Sequence, residues 1–296
     1  MKHRMCFPRP KPSANAWMTK GHTMATDLPA LTPVEETLYV TLAGRALDSR
    51  SRFSVLGDTL SDEIAMKIGY NPDDIAVPRA KAADVAMRSK MLDDVVRGFI
   101  ARHPDAVVLD LGAGLDTRVV RVAPPETVDW YDVDLPGVVK VREQVLPHRA
   151  NVHAVATDVT DPGWLDALPG DRAAVVVCDG LLPFLTEAEF TALLNRLTGH
   201  FPHGEVAFNN YPRYAVRILK RMRRTRALGA LVRHGGFDDP HEPERWDPDL
   251  ELVEELLAAR LPAPPGMPAV YRLANRLIGL SPKLARKFTA IDRYRF

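Results

Sequence analysis

Cysteine is scarce in this sequence: 2 in 296 residues, Cys6 and Cys178. One falls in a proline-broken terminus, the other in an apolar run. So distant a pair excludes a disulfide framework and a zinc site as expectations, and a reducing, cytoplasmic setting is the simplest one. Long hydrophobic runs are missing too. No stretch reaches the roughly 18 apolar residues of a membrane span, and the basic first residues lack the apolar core of a secretory signal. An excess of one charge is also missing: 39 Lys and Arg face 38 Asp and Glu, a formal net charge of +1. Such a balance gives no global reason to expect nucleic acid or a membrane surface as a partner. No internal repeat stands out. What the chain does have is a hydrophobic fraction of 46%, enough for one large α/β domain or a domain with substantial additions.

Residues 1–33 are rich in Pro, Lys and Arg. They are expected to form a disordered extension, vector-derived or upstream of a start at Met24. Thr32-Pro33-Val34-Glu35 reads as the start of a helix, with Thr32 at the cap and Glu35 near the positive end of the dipole. Helical spacing continues through Leu38, Leu42 and Leu47. It returns over Asp62–Ile68 and again over Asp84–Ala101, where Val85, Met91, Leu92, Val95, Val96 and Phe99 share a broad apolar face. A helical cap, residues 34–104, therefore precedes the first strand. From 105 to 296 the pattern alternates. Strands are expected at 106–111, 128–133, 152–156, 173–178 and 204–210, and helices at 116–122, 136–146, 187–200 and 213–233, with a short piece near 162–168. Strands spaced by helical segments imply an α/β, doubly wound, mostly parallel sheet. Leu250–Arg260 reads as an amphipathic helix, closing a helical insertion over about 213–260. Residues 261–268 are too proline-rich to be helical throughout. A helix at 271–279 and a final edge strand at Ile291–Phe296 complete the expectation.

The chain is organised around Val107-Val108-Leu109-Asp110-Leu111-Gly112-Ala113-Gly114-Leu115-Asp116-Thr117-Arg118. An apolar run suited to a buried parallel strand breaks into a Gly-x-Gly turn. Gly112 and Gly114 remove Cβ atoms where a ligand can approach the backbone, and they permit positive φ. This is how a nucleotide-type ligand is held at the end of a first strand. A dinucleotide fingerprint would place a third Gly or Ala at 117, where this chain has Thr117. Asp134 ends the second strand, twenty residues after Gly114, and a carboxylate there suits ribose hydroxyls. Asp132 points to the same face, so the sequence leaves the choice between the two open. Asp134 also suits a cap for the helix opened by Pro136. Past the third strand, Asp158 suits the exocyclic amine of adenine, and the backbone amide of Val159 suits a ring nitrogen. An ordinary turn aspartate is the plainer role for Asp158. Asp179 ends the fourth strand, where a carboxylate can accept from an α-amino group or be paired structurally. Tyr211, after the fifth strand, borders the expected acceptor pocket and is a weak candidate for a catalytic group.

These stretches together resemble the leucine carboxyl methyltransferase family, in particular its bacterial branch of polyketide carboxyl O-methyltransferases of the tetracenomycin type. The resemblance covers about residues 35–296. It rests on Leu111-Gly112-Ala113-Gly114-Leu115-Asp116-Thr117-Arg118, on Asp132-Val133-Asp134-Leu135-Pro136, and on Asp179-Gly180-Leu181-Leu182-Pro183-Phe184-Leu185. In the last of these the family more often has a glutamate first and a tyrosine before the final leucine. The resemblance implies a class I methyltransferase fold, S-adenosyl-L-methionine as cofactor and a small, acidic acceptor. It also implies that Arg88, in Arg88-Ser89-Lys90-Met91-Leu92-Asp93-Asp94, grips the cofactor's carboxylate, a bidentate task suited to guanidinium.

Methyl transfer from a sulfonium is an in-line displacement that demands positioning above all. A phenol acceptor would be helped by a base, since its unperturbed pKa is about 10. No His/Asp pair is placed for that, and His234 and His241 flank a loop. The expectation is therefore a carboxyl acceptor and a methyl ester product. The segment Arg213–Arg226, with seven basic residues in fourteen, reads either as a lid attracting an acidic substrate or as an amphipathic helix with a solvated basic face. Two other functions remain in view: a nicotinamide-dependent oxidoreductase and a non-catalytic adenosylmethionine-binding module.

Overall fold

The computed structural model describes residues 28–74, 79–261 and 269–296. The expected disorder of residues 1–27, with Cys6, and the proline-rich stretch 262–268 lie outside the described residues. Five strands run parallel: β1 (Val107–Leu111), β2 (Asp129–Asp134), β3 (Val152–Ala156), β4 (Ala174–Cys178) and β5 (Gly204–Asn209). With β6 (Glu251–Leu257) and β7 (Ala290–Arg295) they form one seven-stranded sheet in the order β3-β2-β1-β4-β5-β7-β6. β7 is antiparallel to both of its neighbours. β1 and β4 are buried along their whole length, which is why β4 reads as an unbroken apolar run, and β1 as one interrupted only by Asp110, rather than as alternating patterns.

Helices cover both faces. The cap supplies α1 (Leu38–Ser49), α2 (Thr59–Lys67) and α3 (Arg79–Arg102). The crossovers supply α4 (Arg118–Val122), α5 (Pro136–Val145) and α6 (Glu187–His200). α7 (Arg213–Arg221), α8 (Arg226–Leu231) and α9 (Glu242–Trp246) follow β5, and α10 (Ala269–Gly279) and α11 (Pro282–Ala285) precede β7. One core lies between the sheet and α6, built on Leu109, Val176, Phe190, Leu194 and Phe208. On the opposite face α3 contributes Met91, Leu92, Val96 and Phe99 against Val108, Trp130 and Val175. A third cluster joins α1 and α2 to α5 through Leu42, Ile64, Val138 and Val141. Leu28 and Leu31 pack on it, so the stretch 28–33, expected in the extension, is part of the packed protein.

The strand pattern from 106 to 209 follows the sequence reading to within a residue or two. Three expectations are corrected. Leu250–Arg260 is not a helix but the edge strand β6 and a 3₁₀ turn, Ala258–Arg260. Its glutamates face cations that only the fold supplies: Glu251 meets Arg295, Glu254 meets Arg293 and Glu255 meets Arg286. The expected helical insertion at 213–260 therefore ends in a strand. Second, β7 is not an edge strand, because it is inserted between β5 and β6. Third, 213–233 is two helices, broken where Met222 turns extended (ψ 130°) and the Thr225 hydroxyl donates to Leu219 O at 2.8 Å. Among the described residues no helix is long and apolar enough to cross a membrane, and no group of His, Cys, Asp or Glu is arranged to hold a metal ion.

Asp292, near the middle of β7, is fully buried, and neither carboxylate oxygen receives a hydrogen bond of good geometry. Burial pushes its carboxyl from the ordinary 3.8 up to about 8; Glu255 adds to the rise and Arg286 opposes it. The folded state therefore keeps a proton that the unfolded chain releases. Stability is complete below the unfolded value and is lost as pH rises toward the folded one. Asp292→Asn is expected to raise the melting temperature by several degrees at about pH 9 and by progressively less toward pH 5. Calorimetry across that range checks it, and a difference independent of pH would contradict the assignment.

Candidate functional site

A cavity of about 660 Å³ opens at the carboxyl ends of the parallel strands, where the order reverses between β1 and β4. Such a switch point is where open α/β sheets bind ligands. β1 delivers the chain into the glycine turn, in which Gly112 and Gly114 have φ of +67° and +50°, values that strain residues with a Cβ. Gly112 N donates to Val133 O at 2.8 Å, folding the turn over the end of β2. A Cβ on Gly112 would lie 3.3 Å from Leu181 Cβ, across the crevice.

The structure separates the roles of Asp132 and Asp134. Asp132 is buried, accepts from Trp130 Nε1 at 2.9 Å and is ion-paired with Arg142 of α5. Arg142 in turn donates to the carbonyls of Ala113, Gly114 and Asp116 at 3.1, 2.7 and 3.1 Å. Asp132 thus anchors the arginine that holds the glycine turn from below. Asp134 lines the cavity and accepts from Gly114 N at 2.6 Å and Leu135 N at 2.7 Å, one bond to each oxygen. Burial pushes its carboxyl up to about 6, against the pull of those two amides and of Arg142. A carboxylate has about four lone-pair sites, so each oxygen keeps one for a ligand hydroxyl.

Asp158 and Val159 line the same cavity, joined to Asp134 by the bond from Thr157 N to Asp134 O, 2.9 Å. Asp158 is exposed, and its Oδ1 accepts from the Thr160 amide and hydroxyl at 2.9 and 2.7 Å. Its Oδ2 has no partner among the described residues. At the other end of the cavity, Arg88 Nε of α3 donates to Asp179 Oδ1 at 2.8 Å, and Nη1 donates to Asp84 at 2.9 Å. Burial works to lower the Arg88 pKa, but Asp179, Tyr211 and Asp84 together hold it above the usual guanidinium range. Asp84 also accepts from the Thr289 hydroxyl. It is held down to about 2: burial opposes this, and the charges of Arg88 and Lys81 outweigh it. Arg88 Nη2 and Asp179 Oδ2 remain unspent among the described residues. The turn after Asp179 is fixed from β5, where Asn209 Oδ1 accepts from Gly180 N at 2.7 Å.

Sequence reasoning missed Arg142, Asp84 and Asn209. It also missed a buried ionic cluster beneath the glycine turn. Arg118 pairs with Asp110 at 2.7 Å and Asp93 at 3.1 Å; Arg121 pairs with Asp93, Asp116 and Asp58. Arg45 of α1 reaches Leu115 O at 2.9 Å. Thr117 donates to Asp58 at 2.7 Å, so the residue that departs from a dinucleotide fingerprint ties the turn to the start of α2. The signal was there in Leu115-Asp116-Thr117-Arg118, whose charges follow directly on a buried strand. The pairing needed the cap in place.

Tyr211 lines the cavity beside Arg88 and is half-buried. Leu181, Phe184, Val216, Leu219, Leu228 and Leu231 form a largely apolar chamber of the same cavity, which the ion-paired Glu189 and Arg233 also line. α7 and α8 turn their apolar sides to this chamber, while Arg217, Lys220 and Arg221 point to solvent. No histidine lines the cavity among the described residues. His234 is buried, its Nδ1 accepting from Gly236 N at 2.9 Å, and His241 pairs with Glu244. A second cavity of about 470 Å³ adjoins the first and shares Lys81, Arg88, Tyr211 and Ala215 with it.

Comparison with known proteins bears on the family and the fold. The family model described as leucine carboxyl methyltransferase matches residues 33–198. The tetracenomycin polyketide synthesis O-methyltransferase TcmP of Streptomyces glaucescens is 39% identical over 225 residues, 76% of this chain and 83% of that protein. The S-adenosyl-L-methionine-dependent methyltransferase dpfgK of Gibberella zeae is 31% identical over 257 residues, 80% of this chain and 86% of its own. In fold, a solved structure of a methyltransferase candidate from Thermobifida fusca superposes with a TM-score of 0.52 at 18% identity, covering 85% of this chain and 93% of that one.

Proposed function

Because the chain belongs to the leucine carboxyl methyltransferase family and is an S-adenosylmethionine-dependent methyltransferase, we propose that it methylates a carboxylate on a small, largely apolar, polyketide-like acid, forming a methyl ester. S-adenosylmethionine, when bound, supplies an electrophilic methyl group on a sulfonium. The unspent groups of the cavity match its chemistry. Asp134 would hold the ribose hydroxyls, Asp158 and the Val159 amide the adenine edge, Arg88 the carboxylate and Asp179 the α-amino group. Gly112 and Gly114 keep the cradle free of side chains.

What remains for the protein is to orient the acceptor and exclude water. The chamber under α7 and α8 offers apolar walls on which an acceptor ring system can pack. Positioning of this kind supplies about 7–11 kcal/mol of a barrier. A carboxylate acceptor carries no proton to remove, and its charge is consumed as the sulfonium charge disappears, so a dry chamber favours the step. The observation that carries this reading is that chamber: largely apolar walls, and no histidine among the described residues that line the cavity with Arg88 and Asp179.

The test is a panel of mono-, bi- and tricyclic aromatic carboxylic acids against their phenolic counterparts, followed by mass spectrometry. Methyl esters are expected, with kcat/KM flat across about pH 7–9, above the titration range of the acceptor carboxyl. Phenyl ethers as the only products, with a rate rising alongside phenol ionisation, would replace the carboxyl acceptor by a phenol. Failure to bind S-adenosylhomocysteine would remove the cavity assignment itself.

A further inference from the structure

The net charge of +1 conceals a marked asymmetry. Residues 213–233 carry eight basic side chains and residues 269–289 five, with no acidic residue in either stretch. The remaining chain therefore has 26 basic against 38 acidic residues, a net charge of −12. The two basic stretches adjoin, since the Tyr214 hydroxyl on α7 donates to Lys287 O at 2.7 Å. Arg213, Arg233 and Arg286 are paired with glutamates. By contrast, Arg217, Lys220 and Arg221 of α7 and Arg272 and Arg276 of α10 are exposed and make no ion pair among the described residues.

The same two stretches hold nine of the twelve large apolar side chains that stand exposed among the described residues. On α10, Val270, Leu273 and Leu277 recur at helical spacing with exposures of 68%, 58% and 58%. Leu280, just beyond, is 79% exposed. On α7, Tyr214 and Ile218 are exposed four residues apart, and Met222 follows at the end of the helix. A surface helix with an apolar stripe bordered by unpaired cations has the character of one that lies in a lipid headgroup layer.

We propose that α7 and α10 dock this enzyme on an anionic lipid surface, their apolar stripes entering the headgroup layer and their unpaired cations meeting lipid phosphates. Charge complementarity selects this occupant. A second copy related by a two-fold axis would set two cationic faces against each other. A nucleic acid would satisfy the cations but leave the leucine stripe of α10 in water. α7 is also a wall of the chamber, through Val216 and Leu219. Docking therefore places that wall beside the layer in which an apolar acid concentrates.

The test is co-sedimentation of the full chain with vesicles of phosphatidylcholine alone and with about one third phosphatidylglycerol. Binding is expected on the anionic vesicles, weaker as salt is raised, and absent on phosphatidylcholine alone. Arg272→Gln and Arg276→Gln each lower the partition coefficient about fivefold. Leu273→Ser with Leu277→Ser lowers it about tenfold or more. All four positions are exposed, so unchanged melting and unchanged S-adenosylhomocysteine affinity certify the variants. No enrichment on anionic vesicles overturns the proposal. Undiminished vesicle binding by the leucine variant also overturns it, because the face is then a polyanion or acidic-protein site in which the apolar stripe takes no part.

Discussion

Gly112→Val is expected to cost the protein roughly a hundredfold or more in affinity for S-adenosylhomocysteine, on the scale that a misplacement of about 1 Å costs a preorganised site. Two effects add. The position has φ of +67°, where a β-branched residue is strained by about 1–3 kcal/mol. The new Cβ would also stand 3.3 Å from Leu181 Cβ and Cδ1, so the γ-methyl groups enter the crevice between the first and fourth strands. The turn stays attached through its bond to Val133 O, and the sheet beneath is untouched. Calorimetric titration beside a thermal melt separates the outcomes. Lost affinity with a melting temperature lowered by only a few degrees is expected. Wild-type affinity in a folded variant would show that the turn faces no ligand.

The second large effect belongs to Arg142, which supports the glycine turn without lining the cavity. Arg142→Met leaves Asp132 as an uncompensated buried charge and strips three carbonyls of the glycine turn of their donor. Breaking a buried pair by removing one partner costs about 3–5 kcal/mol. The melting temperature is therefore expected to fall by more than in the Gly112 variant. The double variant Arg142→Met with Asp132→Leu should recover part of that loss, since the stranded charge is gone, but not the order of the turn. Denaturant titration of the two variants checks this. Equal stability of single and double variants would mean that the carboxylate is not buried against the arginine.

Much of the architecture could be read from residues alone. Val107–Leu111 and Ala174–Cys178 announce buried parallel strands because apolar residues, interrupted only by Asp110, fill segments too short for helices. Gly112, Asp134, Asp158 and Asp179 could be placed at strand ends because the turn chemistry and the twenty-residue step from Gly114 to Asp134 are local. The edge of the sheet could not. Glu251-Leu252-Val253-Glu254-Glu255-Leu256-Leu257 satisfies a helical period, and what makes it a strand is the antiparallel backbone ladder that β7 offers it, with arginines set opposite its glutamates. The mixed character of 213–233 was equally ambiguous, because a solvated basic face and a chamber wall are opposite sides of the same helix.

The sequence by itself determined the α/β alternation, the glycine turn and the order of the acidic residues that follow it, since strand burial, positive φ and short-range spacing are properties of local chain. It also carried the charge asymmetry, although the balanced total concealed it. Separating Asp132 from Asp134, joining Arg88 to Asp179 and Asp84, and bringing the two basic stretches together at Tyr214 and Lys287 took the folded chain. Those outcomes depend on groups 10 to 205 residues apart in the chain. No local preference encodes such separations; packing of the cap and the carboxyl-terminal strands against the sheet creates them.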